Sequence, residues 1–419
     1  MATAIALFLT VVVAALLISY RSYRSLNPRR RQWFHGALYV TACAGALYLL
    51  RAIIKGILNP PEWDFLDFWI NGQIAARGLN YYDSHLATAL AQRLHPTSDF
   101  LIVALTKPFL YPPPTILFFF PLGWFGFKTA ALLWYAFQCA CLIAAIFLLA
   151  RTFLKDSSMP GLLLTAILLF AVGGTRANIV TAQTLFMLLV AVTLFFRQRN
   201  VFAGGIWLGI CILLKPFAVV LLVYAALRKK WKACFGALAA LVTSAIVTFV
   251  IFGPSIFRNY AVTIGNGPLP RSIYMELENQ SLSAWMFRSF GYSNATIAVF
   301  VLLAAILSGV TFFQIFRLPV GRDATGLALA LTLALLIYPG SLISYSTLLI
   351  VPIILLFGRS LLWPVLLAYC VMNLGGRDLI YTGFATALLW LVLLVMKPKE
   401  VSEEAASGEA YSSAHQSSP

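Results

Sequence analysis

Two aspartates stand in the aromatic stretch "WDFLDFWINGQ", although the 419-residue chain holds only 14 acidic residues. If this stretch forms a helix after the preceding "NPP" breaker, then Asp64, Asp67 and Asn71 are spaced i, i+3, i+7 and lie on one face. A carboxylate in a partly dry site, near a second carboxylate, has its pKa raised towards the range of a general base. The same acids can instead complement the dipole of a helix N-terminus. The sequence leaves both interpretations open.

The elements around these acids belong to a membrane protein. Hydrophobic residues make up 61% of the chain, charged residues make up 11%, and the mean hydropathy is +0.87, which excludes a water-facing globular domain of this size. The formal net charge of +16 comes from short basic clusters between apolar runs, so it indicates topology and predicts no nucleic-acid partner. The acidic stretch is therefore expected to be an interfacial helix, with its aromatic rings among lipid headgroups and its polar stripe turned towards protein or water.

The apolar runs predict an all-α, polytopic membrane protein with about 13 spanning helices (a range of about 11–13), because each span needs roughly 20 residues. The runs are 2–20, 35–54, 127–151, 159–173, 178–196, 201–214, 216–227, 231–253, 294–316, 324–340, 342–357, 360–374 and 378–396. We expect residues 1–396 to form one integral membrane domain. The polar tail 397–419 is expected to be disordered.

The basic clusters predict the topology. With 13 spans, all of them fall on one side of the membrane: 21–31, Arg151 with Lys155, 197–199, 228–232, Arg317 with Arg322, Arg359 and 397–399. The positive-inside rule makes this side cytoplasmic, with the N-terminus outside and the C-terminus inside. The long outer segments are then 55–126 and 254–293. Since most of the other polar residues lie in the outer segments and turns, we expect any active site on the outer face.

A lysine lies between two short apolar runs in "LLKPF", a predicted outer turn. Lys215 is costly there unless it reaches the interface or meets an anion. Arg176 and Gln183 occupy the neighbouring outer turn "GGTRANIVTAQ", so the three side chains are candidates to hold a phosphate. The alternative is that Lys215 only snorkels to the interface.

The second long outer segment holds "MELENQSLSAWMFRSF" at residues 275–290. Its Glu276, Glu278, Asn279 and Gln280 are hydrogen-bonding groups of the kind that bind carbohydrate, but the stretch can equally be an amphipathic surface helix. In the first segment, "YPPPTILFFFPLGWF" begins at Tyr111 and has three prolines at its start. It is expected either to dip into or lie against the bilayer, or to start a simple helix with proline at the first position.

No metal or cofactor site is predicted. Further along the first outer segment, Asp83, His85, His95 and Asp99 match no metal-ligand spacing, and we interpret them as solvated. All six cysteines lie in apolar runs, where a thiol acts as a small hydrophobe, so no disulfide is expected.

Several motifs, taken in order, resemble those of the family 87 glycosyltransferases of the GT-C superfamily. They are "DFLDFW…G…YYD" (64–83), "YPPPTILFFFPLGWF…LLW" (111–134), the run from "AQTLFMLL" to "RKKWKA" (182–233) and "NQSL" (279–282). The resemblance implies a membrane enzyme that moves a sugar, usually mannose, from a polyprenyl-phosphate donor to a lipid or glycan acceptor on the outer leaflet. It also implies a location in the plasma (inner) membrane.

The resemblance also implies roles for individual residues. An acid of the first outer loop is the family's base, and it falls on Asp64, with Asp67 as the alternative. The family's glutamine of a "GQN" turn falls on Gln183, although the turn here reads Ala-Gln-Thr, and its Lys-Pro pair falls on Lys215. Asn71, Tyr111, Arg176, Asn279 and Gln280 complete the candidate substrate-binding set. The histidine of the family's C-terminal motif has no counterpart in "SLISYSTLL" (341–349).

A transporter or flippase of lipid-linked saccharides remains the alternative, because it would also be polytopic, basic inside and furnished with a polar stripe. Such proteins more often contain internal repeats with broken helices paired across two halves. No convincing repeat relates residues 1–200 to residues 201–396, which favours the enzyme.

Overall fold

The computed structural model describes residues 2–60, 64–94, 109–265, 276–359, 361–374 and 383–396. In these ranges the only extended pairing is an isolated bridge between Asn279 and Leu342, so the predicted all-helical class is confirmed. The helices are α1 (Ala2–Arg21), α2 (Pro28–Leu58), α3 (Asp64–Ala76), α4 (Ser84–Leu94), α5 (Phe127–Leu149), α6 (Met159–Ala171), α7 (Gly173–Thr181), α8 (Leu185–Arg197), α9 (Phe202–Leu214), α10 (Val219–Leu227), α11 (Trp231–Phe252), α12 (Ser255–Gly265), α13 (Leu282–Phe290), α14 (Asn294–Arg317), α15 (Asp323–Ile337), α16 (Ile350–Gly358), α17 (Leu362–Leu374) and α18 (Gly383–Val395).

Polar caps fix where several helices begin. Asn27 accepts a hydrogen bond from the backbone N–H of Arg30, and Pro28 supplies a preset first residue for α2. Ser281 and Ser293 cap α13 and α14 in the same way, each through its hydroxyl oxygen. These short polar residues therefore set the bounds of apolar helices whose interiors carry few stop signals.

Four of the described helices are long and apolar enough to cross a bilayer alone: α2, α5 with its π-helical extension to Leu154, α11 and α14. The pair α6 and α7 would make a fifth span, bent by 69°. Among the other apolar helices, α1 has 20 residues, and α8, α9, α15, α17 and α18 have 13–15. A membrane-embedded chain is thus confirmed, whereas the count of about 13 spans stays a prediction.

The long helices lie outside and the short ones inside the bundle. In the most apolar windows of α11 and α14, 17% and 11% of residues are buried, so these helices offer broad apolar surface to lipid. In α15 and α16 nearly every residue is buried. The centre of the bundle is therefore built from helices too short to cross the bilayer alone.

The basic connections meet at one end of the bundle. Asp323, the first residue of α15, binds three cations there, with nitrogen–oxygen distances of 2.8 Å to Arg199, 3.0 Å to Arg228 and 3.1 Å to Lys230. Arg228 also donates to the backbone oxygen of Leu318 at 2.6 Å. Three basic clusters predicted to share one side therefore do lie together.

The basic clusters at residues 21–31 and at Arg151 with Lys155 lie at the same end of the bundle. The hydroxyl of Tyr20 donates a hydrogen bond to the carboxylate of Asp156, which follows α5. Phe153, between Arg151 and Lys155, stacks on Phe196, which precedes Arg197, and the two ring centroids are 5.2 Å apart. Helix α9 leads from this end of the bundle to the opposite end, because its 13 residues rise by about 20 Å. Lys215 follows α9 at that opposite end.

Two glycines allow α9 and α11 to approach each other closely. A Cβ added at Gly205 would lie 2.0 Å from the backbone oxygen of Ala233, and one at Gly236 would lie 2.1 Å from that of Phe202. Close backbone approach through small residues is a common way for helices to associate in membranes. The helix that ends at Lys215 is thereby fixed against a long spanning helix.

One predicted connection is wrong, because residues 173–181 form helix α7 rather than a turn. The stretch is polar and begins with two glycines, so its sequence does not show the apolar periodicity of a helix. The Thr175 hydroxyl donates to the backbone oxygen of Leu169 at 2.6 Å across the bend. Trp63, His95, Asp99, the "GGRD" turn and the tail 397–419 lie outside the described residues.

Candidate functional site

The helix predicted to carry the two aspartates is present as α3, but its aromatic face does not meet lipid headgroups. Phe65 and Trp69 are 0% and 4% exposed. The Phe65 ring stacks on Phe127 with centroids 5.6 Å apart, and Trp69 Nε1 donates to the backbone oxygen of Phe125 at 3.0 Å. The expectation of an interfacial aromatic surface is therefore wrong, because protein covers these rings.

The partner of α3 is the proline-led segment, which forms 3₁₀-helices at Pro113–Phe118 and Phe120–Trp124. Phe68 stacks face to face on Phe119, with centroids 4.1 Å apart. A Cβ added at Gly123 would lie 2.2 Å from the backbone oxygen of Gly72. The glycine contact thus sets how closely α3, with its aspartates, approaches this segment.

Gly123→Ala is expected to displace α3 and to reduce both stability and activity. An added methyl group at 2.2 Å from a backbone oxygen forces the chain apart, and overpacking of this kind costs about 1–3 kcal/mol. Gly126→Ala is the matched control, since a Cβ there meets nothing within 4 Å. Thermal melting of the two variants in detergent or nanodiscs checks this, and equal melting temperatures would contradict it.

The proline-led segment is tied to the end of α9. Thr115 donates from its hydroxyl to the backbone oxygen of Leu213 at 2.6 Å. Tyr81 and Tyr82 donate to the backbone oxygens of Pro113 and Tyr111, at 3.1 Å and 2.6 Å. These hydrogen bonds hold Tyr111 beside the residue that follows α9.

That residue is Lys215, which is only 1% exposed. Its Nζ donates to the Tyr111 hydroxyl at 2.6 Å and to Gln183 Oε1 at 3.1 Å. The same nitrogen lies 4.9 Å from the ring centroid of Tyr111 and 4.8 Å from that of Tyr345, within the range of a cation–π interaction. The structure therefore brings together three of the predicted site residues, and the buried lysine does not snorkel to the interface.

Gln183 is positioned by a tight turn after α7. Ala182 adopts a left-handed conformation with φ 53°, and its backbone oxygen accepts a hydrogen bond from Trp134 Nε1 at 2.8 Å. Gln183 N–H donates to the backbone oxygen of Asn178 at 3.0 Å. The turn, whose sequence is Ala-Gln-Thr, thus brings the Gln183 side chain into contact with Lys215.

The two aspartates lie within electrostatic reach of the lysine. Burial lowers the pKa of Lys215 from 10.5 to about 8, and Asp64, followed by Asp67, acts in the opposite direction. Burial also raises the pKa of Tyr111, with Asp64 the largest charged contributor. Asn71 Nδ2 donates to Asp67 Oδ1 at 2.8 Å, as their shared helix face predicts. The site thus combines two carboxylates, a buried cation and a protonated phenol.

Arg176 does not join this group. It is exposed, and its guanidinium carbon lies 5.4 Å from the ring centroid of Tyr48 on α2. The expectation that it shares a phosphate with Lys215 and Gln183 therefore finds no support in its contacts.

Asn279 and Gln280 use their amides to hold the chain together. Asn279 Nδ2 donates to the backbone oxygen of Pro339 at 2.6 Å, and its Oδ1 accepts from the Ser281 hydroxyl at 2.8 Å. Gln280 Oε1 accepts from the backbone N–H of Gly383 at 3.0 Å. Both amides thus have structural partners within the protein, and their expected binding of substrate stays a prediction.

Two further residues lie at the site: Tyr345, which was not among the candidates, and Glu278, which was named with the hydrogen-bonding groups of residues 275–290. Tyr345, 4% exposed, packs on Lys215 and also against Phe217, with ring centroids 5.5 Å apart. The pKa of the Glu278 carboxyl is raised by partial burial, by Glu276 and by Asp64. Glu278 belongs to a predicted outer segment and Tyr345 follows a predicted outer turn, but their nearness to Asp64 and Lys215 depends on contacts across more than 100 residues.

In the described ranges, no group of three or more His, Cys, Asp or Glu side chains could hold a metal ion. The six cysteines are free thiols. What the chain does present is an all-helical membrane bundle with an acid–lysine–tyrosine site at the end opposite its basic connections.

The bundle and the site define the class of protein: a membrane-embedded helical protein whose buried lysine and tyrosine lie near two carboxylates. The model of glycosyltransferase family 87 matches residues 109–344, which is more than half of the chain, and the protein therefore belongs to that family. The matched region contains Tyr111, Gln183 and Lys215 and begins after the two aspartates. Neither the curated proteins nor the solved structures include a match to this chain.

Proposed function

We propose that this glycosyltransferase moves a sugar, with mannose as the first candidate, from a polyprenyl-phosphate donor to a hydroxyl of a lipid or glycan acceptor on the outer face of the plasma membrane. The observation that carries the proposal is the buried ammonium of Lys215, held by Tyr111 and Gln183 and within electrostatic reach of the carboxylates of α3. A cation and a phenol suit a departing phosphate, and a carboxylate suits an attacking hydroxyl.

Asp64 is the better candidate for the base. Asp67 accepts a hydrogen bond from Asn71, one turn further along the same helix. Asp64 is the stronger electrostatic partner of both Lys215 and Tyr111. Asp67 is then the residue that fixes the polar face of α3.

The proposed step is a single displacement with inversion at the anomeric carbon. The acceptor oxygen forms a bond to that carbon while the bond from the carbon to the phosphate oxygen breaks. The acceptor proton passes to Asp64, and the polyprenyl phosphate leaves with the bonding electron pair. Lys215 and Tyr111 stabilise the negative charge that develops on the phosphate oxygen, because a preorganised donor in a dry site acts strongly on developing charge.

Sugar transfer by the purified protein in lipid nanodiscs tests this function. The assay offers radiolabelled mannosyl and glucosyl polyprenyl phosphates, with nucleotide sugars in parallel, to an extract of membrane acceptors. We expect transfer from a polyprenyl-phosphate sugar, with inverted configuration in the product. Transfer from nucleotide sugars alone would overturn the donor assignment. Movement of lipid-linked saccharide across vesicles without any transfer would favour the flippase instead.

A further inference from the structure

The face of the Tyr345 ring covers one side of the Lys215 ammonium. Lys215 Nζ lies over this ring, 4.8 Å from its centroid, and 4.9 Å from the centroid of the Tyr111 ring. The nitrogen also donates hydrogen bonds to the Tyr111 hydroxyl and to Gln183 Oε1. The ammonium is thus held between two aromatic faces and two neutral oxygens.

This enclosure makes the charge on Lys215 costly, because burial disfavours the charged form of a lysine. Asp64, and after it Asp67, favour the charged form from α3. Tyr111 adds no negative charge, since burial and Asp64 raise the pKa of its hydroxyl. The face of an aromatic ring attracts a cation, most strongly when the cation is desolvated. The two rings therefore act together with the carboxylates in favour of the ammonium.

Tyr345 is itself fixed by its surroundings. It belongs to the 3₁₀-helix Ile343–Leu349. Its ring packs against Phe217, two residues after the lysine, and against Tyr338, with centroids 5.5 Å and 6.2 Å apart. Helix α7 approaches the same 3₁₀-helix closely, because a Cβ added at Gly174 would lie 2.8 Å from the backbone oxygen of its first residue. The ring is therefore preorganised against the site.

We propose that Tyr345 is a positioning residue, whose ring face holds the Lys215 ammonium in place and keeps it charged. Tyr345 acts through its ring in this role, so its hydroxyl is not required. The consequence for sugar transfer rests on the proposed function, in which Lys215 binds the donor phosphate as a cation. Without the ring face, a smaller fraction of the protein carries a charged Lys215 at a given pH.

Two aromatic replacements of similar shape separate the charge distribution of the ring from its packing. Tyr345→Phe keeps the electron-rich face, whereas Tyr345→pentafluorophenylalanine keeps the ring and reverses its charge distribution. In Tyr345→Phe we expect kcat/KM for the donor to fall as pH rises through about 8, as in the wild type. In the fluorinated variant the fall should come about one pH unit lower, the usual size of a buried cation–π contact. A fall at the same pH in both variants, or at higher pH in the fluorinated one, would contradict the proposal.

Thermal melting at several pH values supplies a readout that does not need activity. The pKa of Lys215 is lowered from 10.5 to about 8 in the folded protein, so the free energy of unfolding rises with pH between these values. In the fluorinated variant the rise should begin at lower pH. Its melting temperature should therefore gain about 1–3 °C on that of Tyr345→Phe between about pH 6 and about pH 9.

The same pair of replacements in a Lys215→Met background is the matched control, and there we expect no such gain. Equal pH profiles of melting with the lysine present, or a gain that persists without the lysine, would overturn the inference. If the gain depends on the lysine but no polyprenyl-phosphate sugar is transferred, the proposed function fails and the role of Tyr345 stands.

Discussion

Asp64→Asn is expected to lower the rate of sugar transfer by about 10²–10⁴-fold, the usual contribution of a general base. The amide has nearly the same shape as the carboxylate but does not accept the proton of the attacking hydroxyl. Asp64 begins α3, whose helix is fixed by the Phe65 and Trp69 contacts, so the fold should survive the change. Initial rates at saturating donor and acceptor, with donor binding measured separately, check this result.

Asp67→Asn is the matched control, because it makes the same chemical change one turn away on the same helix. Its amide can still accept the hydrogen bond that Asn71 donates at 2.8 Å, so we expect a loss of less than about tenfold. The reverse ranking, with Asp67→Asn the slower enzyme, would move the base to Asp67. Near wild-type rates for both variants would return the two acids to the role of charges at a helix N-terminus.

Much of the bundle was predictable because apolar runs and basic clusters are local signals. The predicted helix of residues 63–76 and the break at "LLKPF" correspond to α3 and to the extended Lys215 between α9 and the next 3₁₀-helix. The grouping of the basic connections around Asp323 also follows from a simple rule on loop charge. Side-chain caps at Asn27, Ser281 and Ser293 mark where three of the helices begin.

The site was less predictable because its contacts are distant in the chain. Lys215 and Tyr111 are separated by 104 residues, so the sequence identified each as a candidate but not their hydrogen bond. Asn279 has the composition of a sugar-binding residue, yet its partner is the backbone oxygen of Pro339. Tyr345 carried no signal beyond its place near a predicted outer turn. Side-chain type predicts hydrogen-bonding capacity, but only packing decides which partner uses it.

The second large effect is expected for Lys215→Met, which removes the cation and keeps a long, unbranched side chain. Loss of a preorganised donor at developing charge typically costs about 10²–10³ in rate, and we expect a loss of that size in kcat/KM for the donor. Removing a buried charge lifts its desolvation penalty, so the protein should stay folded. Steady-state kinetics together with thermal melting separate the two effects.

The pH dependence of the wild type gives the same hypothesis a second test. Lys215 is charged below its pKa, which burial lowers to about 8, so kcat/KM for the donor should fall as pH rises through that value. A bound phosphate favours the charged form, so kcat should hold to higher pH than kcat/KM. Lys215→Arg keeps its charge at all these pH values, and its residual activity should show no fall near pH 8. A wild-type profile that is flat through pH 8, or an arginine variant with the same fall, would exclude Lys215 as the titrating group.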